Sequence, residues 1–145
     1  MINRKNTLGC TIPSKLEQLK CVEKLTAQAS EQMHLSEDQT DNLAIAVTEA
    51  VGNAIVHGNK KDPRKKVTIQ YRLNPKSVHV SVTDEGKGFD PDQIANPLDP
   101  DNLLKESGRG IFILKQLMDK VKYDFSDQGT TIHMILKIKP EKSVP

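Results

Sequence analysis

Tryptophan is absent from this 145-residue chain, and only three Phe and two Tyr are present. So thin a supply of flat rings leaves little from which to build the stacking platforms that hold single-stranded nucleic acid. Cysteine is scarce too: Cys10 and Cys21 show no metal-type spacing, so free thiols in a reducing compartment are expected. No apolar run approaches the roughly 20 residues that span a bilayer, and the N-terminus lacks the apolar core of a signal peptide. A cytoplasmic chain with no membrane partner is the expectation. Charge of one sign is also missing, the formal net charge being +2 with 28% charged and 36% hydrophobic residues. That balance argues against disorder and against a surface that coats nucleic acid directly. The local exception, Lys60, Lys61, Arg64, Lys65 and Lys66, reads as a solvated loop between a helix and a strand. The length suits one domain over residues 1–145 and is too short for two well-packed ones.

The periodicity of what is present changes along the chain. Residues 7–12 read as a short edge strand ended by Pro13. Ser14 with Glu17 forms a capping-box pattern that starts a helix running to about Met33, and Ser36 with Gln39 repeats the signal for a second helix that stops at Gly58. From Val67 the period switches to two, through Leu73, a turn at residues 74–77, and Val78, Val80 and Val82, which predicts a hairpin. The stretch from 89 to 107 has three prolines and no sustained period, as a lid or linker would. An apolar helix is expected from Ile111 to about Val121. Strands at 122–126 and 130–138 flank a turn at residues 127–129, and no internal repeat is present. Helices and strands in this order predict a two-layer α/β sandwich, its sheet mixed but mainly antiparallel and covered on one face by three helices.

Two features point to chemistry. Glu49, Asn53 and His57 recur every fourth residue, which on a helix stacks a carboxylate, an amide and an imidazole along one stripe, while Val47 and Val51 face the core. An ordinary amphipathic helix with a solvated face would show the same spacing. Asp84 continues the inward register of Val78, Val80 and Val82, and a carboxylate on the buried side needs a hydrogen-bonding partner, either a capping interaction or a ligand. A nucleoside triphosphate pocket needs a reader for the base, backbone donors for phosphates, and a metal ligand with a base near the terminal phosphate. Asp84 can accept from an exocyclic amine, Gly86 and Gly88 would let a ring approach the backbone, and Gly108 and Gly110 precede a helix whose free N–H groups favour anions. Asn53 offers a hard oxygen suited to Mg²⁺, and Glu49 a carboxylate one turn away. Each glycine pair also fits a plain turn. Gly108-x-Gly110 lacks the third glycine of a dinucleotide fingerprint, and no GxxxxGK run is present.

Taken together, ExxxNxxxHG at residues 49–58, DEGKGFD at 84–90, SGRG at 107–110 and GTT at 129–131 resemble the Bergerat-fold ATPases shared by gyrase, histidine kinases and MutL. More closely, the chain resembles the bacterial anti-sigma-factor serine/threonine kinases, over residues 7–138. The resemblance implies MgATP as cofactor. Asn53 would hold Mg²⁺, and Asp84 with Thr130 would bind adenine in a pocket shaped by Gly86 and Gly88. Gly108 and Gly110, with Ser107 and Arg109 beside them, would cradle phosphates at the hinge of a lid at 89–107. Glu49 would be the catalytic carboxylate. His57 would contact phosphate, a helix C-terminal imidazole interacting with the dipole being the alternative. Where some members place an arginine before the Ser-Gly of the hinge, this chain has Glu106.

The function implied is phosphoryl transfer to a Ser or Thr of an anti-anti-sigma factor, a STAS-domain antagonist, alternating with sequestration of a sigma factor. Pairing through a sheet edge or the first helix leaves room for a homodimer. Too few residues precede the ATPase motifs for a helical dimerisation segment carrying a phosphoacceptor histidine. Two competing readings stand beside this one. In the first, suggested by Glu106, nucleotide is a conformational ligand for a partner-binding module without turnover. In the second, the glycines are turns, Asp84 is a cap, and no nucleotide binds.

Overall fold

The computed structural model describes residues 6–86 and 106–138, with residues 106–111 as backbone only. Five strands form one sheet in the order β1-β2-β3-β5-β4: β1 Thr7–Pro13, β2 Lys66–Asn74, β3 Ser77–Thr83, β4 Lys120–Ser126 and β5 Gly129–Lys137. All four pairings are antiparallel, so the mixed character expected of the sheet is not found among the described residues. Three helices cover one face, as expected: α1 Leu19–Gln32, α2 Glu37–Asn53 and α3 Glu106–Leu117.

Alternation builds the inner face. Val67, Ile69, Tyr71 and Leu73 of β2, Val78, Val80 and Val82 of β3, and Ile132, Met134 and Leu136 of β5 are all buried. Leu43, Ala46, Val47, Ala50 and Val51 of α2 meet them from above, and the small alanines bring that helix close to the sheet. The buried Tyr71 hydroxyl is satisfied by Thr26, whose own hydroxyl donates to the Val22 carbonyl at 2.8 Å.

The first predicted helix start is not where Ser14 stands. A short 3₁₀ turn at Leu16–Gln18 with Lys15 at its N-cap leads into α1, and Lys15 makes no side-chain cap bond. The Ser14 hydroxyl instead donates to the Lys65 carbonyl at 2.7 Å and accepts from Asn59 Nδ2 at 2.8 Å, ligating the end of β1 to the approach to β2. Ser36 does cap α2, accepting from the Gln39 N–H at 3.1 Å, while the Gln39 side chain donates to the Lys137 carbonyl at 2.9 Å and so fastens the helix start to β5.

Between α1 and α2 the chain reverses through a Schellman closure. Leu35 N–H bonds to the Ser30 carbonyl and His34 N–H to that of Glu31, both at 3.1 Å, with His34 in the left-handed region at φ 52°. A side chain with a Cβ is disfavoured there by roughly 1–2 kcal/mol. His34→Gly is therefore expected to raise stability by about 0.5–1 kcal/mol, and His34→Val to lower it. Both are read as shifts of the urea midpoint at unchanged slope.

Candidate functional site

The helical stripe forms as its spacing predicts. Glu49, Asn53 and His57 are each half-buried, and with Leu16, Gly52 and Val56 they line one depression of about 180 Å³. Nothing lies within 4 Å of the point where a Cβ on Gly52 would stand, so the space between Glu49 and Asn53 is open. The helix does not reach Gly58 as a regular α-helix. Ala54–Gly58 form a π turn, closed by the Asn59 N–H on the Ala54 carbonyl at 2.8 Å. Such widened turns occur mostly singly and often at functional sites. This one delivers Gly58 to the sheet, where a Cβ would stand 2.2 Å from Asp84 Oδ2.

Asp84 is buried at 5% exposure, at the end of β3 and on the face of the core valines. Its Oδ1 accepts from the N–H of Gly86 at 3.0 Å and of Thr130 at 3.1 Å, and its own N–H donates to the Thr130 carbonyl at 2.9 Å. Its Oδ2 accepts no hydrogen bond among the described residues. The carboxylate is thus half satisfied by the protein's own amides. Burial raises its pKa above the ordinary carboxylate value, and the two N–H bonds and Lys65 oppose that rise only in part. Beside it, the Thr130 hydroxyl is buried and without a hydrogen-bond partner among the described residues. An acceptor and a hydroxyl, both short of partners, fit the amine and a ring nitrogen of a purine.

Backbone closes tightly around this aspartate. A Cβ on Gly86 would stand 1.9 Å from the Gly58 carbonyl oxygen, so the close approach that Gly86 permits is to the protein's own chain. Gly129, at φ 153°, would meet the Asp84 carbonyl oxygen at 1.9 Å. Three glycines, at 58, 86 and 129, are therefore needed for Asp84 to sit where it does. The sequence marked Gly58 as a helix stop and Gly129 as a turn, each within a family-like motif, but not their contact with Asp84.

Asn59 was not foreseen. At 1% exposure it has every polar atom engaged: Nδ2 donates to the Ser14 hydroxyl at 2.8 Å and to the Lys66 carbonyl at 3.0 Å, while Oδ1 accepts from the Glu85 N–H at 2.8 Å. It pins the residue between Asp84 and Gly86 to the end of the π turn. The Glu85 carboxylate accepts in turn from the Lys66 N–H. The only hint in the sequence is a polar residue directly after a helix-ending glycine.

The expected helix 111–121 is displaced. It begins at Glu106 and ends at Leu117, so Ser107, Gly108, Arg109 and Gly110 lie in its opening turns and Val121 belongs to β4. Glycine is a poor helix former, yet in the first turn the N–H groups have no intrahelical partner and an acidic residue such as Glu106 suits the dipole. At the other end the Asp119 N–H bonds to the Ile135 carbonyl at 2.9 Å and draws the chain into β4. Gly88 and the expected lid, apart from its last residues in α3, lie outside the described residues. Among the described residues no group of three or more His, Cys, Asp or Glu is placed to hold a metal ion. Asn53 with Glu49 fits a cation that Mg²⁺ chemistry typically shares with phosphate oxygens and water, not one caged by protein alone. No helix among the described residues is long and apolar enough to cross a membrane.

Known proteins resemble this chain in sequence and fold. The serine-protein kinase RsbW of Bacillus subtilis is 28% identical, the alignment covering 98% of this chain and 92% of that protein. The anti-sigma F factor of Anoxybacillus flavithermus is 33% identical over 74% of this chain and 75% of its own length. Among solved structures, the RsbU and RsbW domains of a Mycobacterium tuberculosis protein superpose with a TM-score of 0.68 at 16% identity, covering 91% of this chain and 32% of that one. A mycobacterial sensor histidine kinase, MprB, superposes at 0.56 with 16% identity, over 92% of this chain and 99% of its own. The histidine kinase-like ATPase domain matches residues 12–136, and this chain belongs to that family.

Proposed function

We propose that this protein is an ATP-dependent serine/threonine kinase and anti-sigma factor, one domain over residues 1–145 that works in the cytoplasm as one arm of a partner switch. Its relatives named serine-protein kinase and anti-sigma F factor support the activity, and the ATPase family supports the use of ATP. The observation that carries the reading is the pair of groups without a hydrogen bond among the described residues, Asp84 Oδ2 and the Thr130 hydroxyl, at the end of the sheet that Gly58 joins to the Glu49 stripe.

In this reading Asp84 and Thr130 take the adenine edge, with Gly86 and Gly88 shaping the base pocket. The opening of α3, Ser107 to Gly110, offers backbone donors to the phosphates, with His57 reaching them from the helix stripe. Mg²⁺, held by Asn53 and the phosphates, would neutralise charge as the γ-phosphoryl group leaves. Glu49 accepts the proton of the attacking Ser or Thr hydroxyl as the new O–P bond forms. The acceptor is a STAS-type antagonist of the sigma factor. Phosphorylation gives it nearly two negative charges, and its release frees this protein, as a homodimer, to hold the sigma factor. Glu106, in the position where some relatives carry arginine, keeps a second reading in play: an ATP-gated grip on partners without turnover.

Glu49→Gln separates the two. Transfer of label from γ-labelled ATP to the antagonist should fall by about 10²–10⁴-fold while nucleotide affinity is kept. Full transfer by the variant would remove Glu49 from the reaction, and no transfer by the unaltered protein despite tight MgATP binding would leave the second reading.

Asp84→Asn tests the base pocket. The folded pKa of Asp84 is raised, so its contribution to stability is complete below the unfolded value near 4 and is lost as pH rises through the folded one. At neutral pH the variant, free of the buried charge, should be as stable as the parent or more so, with the gap closing toward about pH 4. It should nevertheless lose the thermal shift with MgATP, worth about 2.7 kcal/mol at a hundred times the dissociation constant in the parent. A retained shift would overturn the assignment of Asp84.

A further inference from the structure

The face of the sheet turned away from the helices carries a second cluster. His79 of β3 and His133 of β5 approach with Nε2 and Nδ1 3.1 Å apart, their ring centroids 5.2 Å apart and the rings tilted by 49°. His133 Nε2 lies 2.9 Å from Asp124 Oδ2 of β4. Arg72 stands directly across from His79 in the β2–β3 register, and these side chains, with Thr7, Gln70 and Ser81, line a pocket of about 130 Å³. No lining residue is an acid. Asp124 is already shared between His133 and Lys122, whose Nζ lies 3.9 Å away, and Arg72 has no ion pair among the described residues.

The hydrogen bonds fix the tautomers. An ionised carboxylate only accepts, so with both rings neutral His133 donates from Nε2 to Asp124 and its Nδ1 accepts from His79 Nε2–H. That leaves His79 Nδ1 as a bare lone pair in the neutral ring. Partial burial, then His133 and Arg72, hold His79 below the usual imidazole range, so the neutral ring prevails at neutral pH. The charged or titratable groups around it are Arg72 from β2, His133 from β5, and Lys120, Lys122 and Asp124 from β4, with none from β1. Cations outnumber the single carboxylate.

We propose that this pocket binds a phosphate-class oxyanion, gripped by the Arg72 guanidinium and by His79 once its Nδ1 has taken up a proton. Arg72 supplies the fork geometry that suits such an anion, and Ser81 and Gln70 add neutral donors. Because the anion favours the protonated ring, binding and proton uptake are linked, and affinity rises as pH falls, by at most about tenfold per pH unit for one proton. The site lies across the sheet from the nucleotide site and does not depend on the kinase reading.

The test follows the His79 and His133 ring resonances by NMR through pH about 5–8, alone, with inorganic phosphate, and with O-phosphoserine. Either ligand is expected to raise the apparent pKa of His79, and the tighter of the two identifies free or esterified phosphate as the source. Arg72→Gln should lose this response while keeping its thermal shift with MgATP. His79→Gln should keep weak binding but lose the gain in affinity at low pH, leaving only the pH dependence of the phosphate's own second ionisation. An unmoved His79 with both ligands, an undiminished response in Arg72→Gln, or protection of His79 between two copies of the chain would each overturn the proposal.

Discussion

A carboxylate placed in the inner layer of a sheet has to be held by something, and how Asp84 is held organises one end of this molecule. Two backbone N–H groups converge on Oδ1, and a third bond runs from the Asp84 N–H to the Thr130 carbonyl. Hydrogen bonds to a charged group contribute about 1.5–3 kcal/mol each, while removing a carboxylate from water costs several kcal/mol. The two bonds offset much of that cost without cancelling it, as the raised pKa records. The residual cost falls on Oδ2 and on the neighbouring Thr130 hydroxyl, the two polar atoms of this corner without a hydrogen bond among the described residues.

Holding the carboxylate there requires the end of α2 to come within touching distance of β3. The contact is made by Gly58, and the chain then leaves through Lys60 and Lys61, both left-handed at φ 53° and 60°. Backbone of that kind costs on the order of 1–3 kcal/mol per residue and persists only where the surroundings over-determine it. Asn59 does so here, with three hydrogen bonds to three different segments and no polar atom left over. Strain on one side of Asn59 and the Glu85 bond on the other make the π turn and the Asp84–Gly86 turn a single unit. The stripe of Glu49, Asn53 and His57 is thereby fixed relative to Asp84 and the end of the sheet.

Local patterns made much of this legible. Alternation placed every strand within a residue or two and put Asp84 on the inner face, because period two admits only two faces. The four-residue spacing of Glu49, Asn53 and His57 on α2 likewise needed no tertiary information. What escaped depends on distant partners. Ser14 has the signature of a cap, yet its hydroxyl is claimed by groups 45 and 51 residues away. Asn59 meets Glu85 across 26 residues, and no periodicity encodes that. The apolar period that marks α3 begins only at Ile111, so the glycine-bearing residues 107–110, which carry no such period, read as lying ahead of the helix that in fact includes them. The expected mixed sheet is not found: hairpin-length turns at residues 75–76 and 127–128 make two of the antiparallel pairs, and the longer helical connections from β1 to β2 and from β3 toward β4 and β5 also return the chain antiparallel.

The same alternation that buries the valines sends every other residue of β3 and β5 outward, so the outer cluster is the complement of the core and not an independent feature. His79 sits between Val78 and Val80, and His133 between Ile132 and Met134, each flanked by residues that are 5% exposed or less. In the order β1-β2-β3-β5-β4, β3 and β5 are paired with each other and flanked on both sides, while β1 and β4 form the edges. Central strands are the least free to shift, because a slip of one residue would turn the whole buried set outward. Asp84 and Thr130 lie where this pair ends on the inner side, and His79 and His133 lie along its outer side. Both sets of polar groups therefore inherit their geometry from one hydrophobic register, and a substitution that loosened that register would disturb the two sets together.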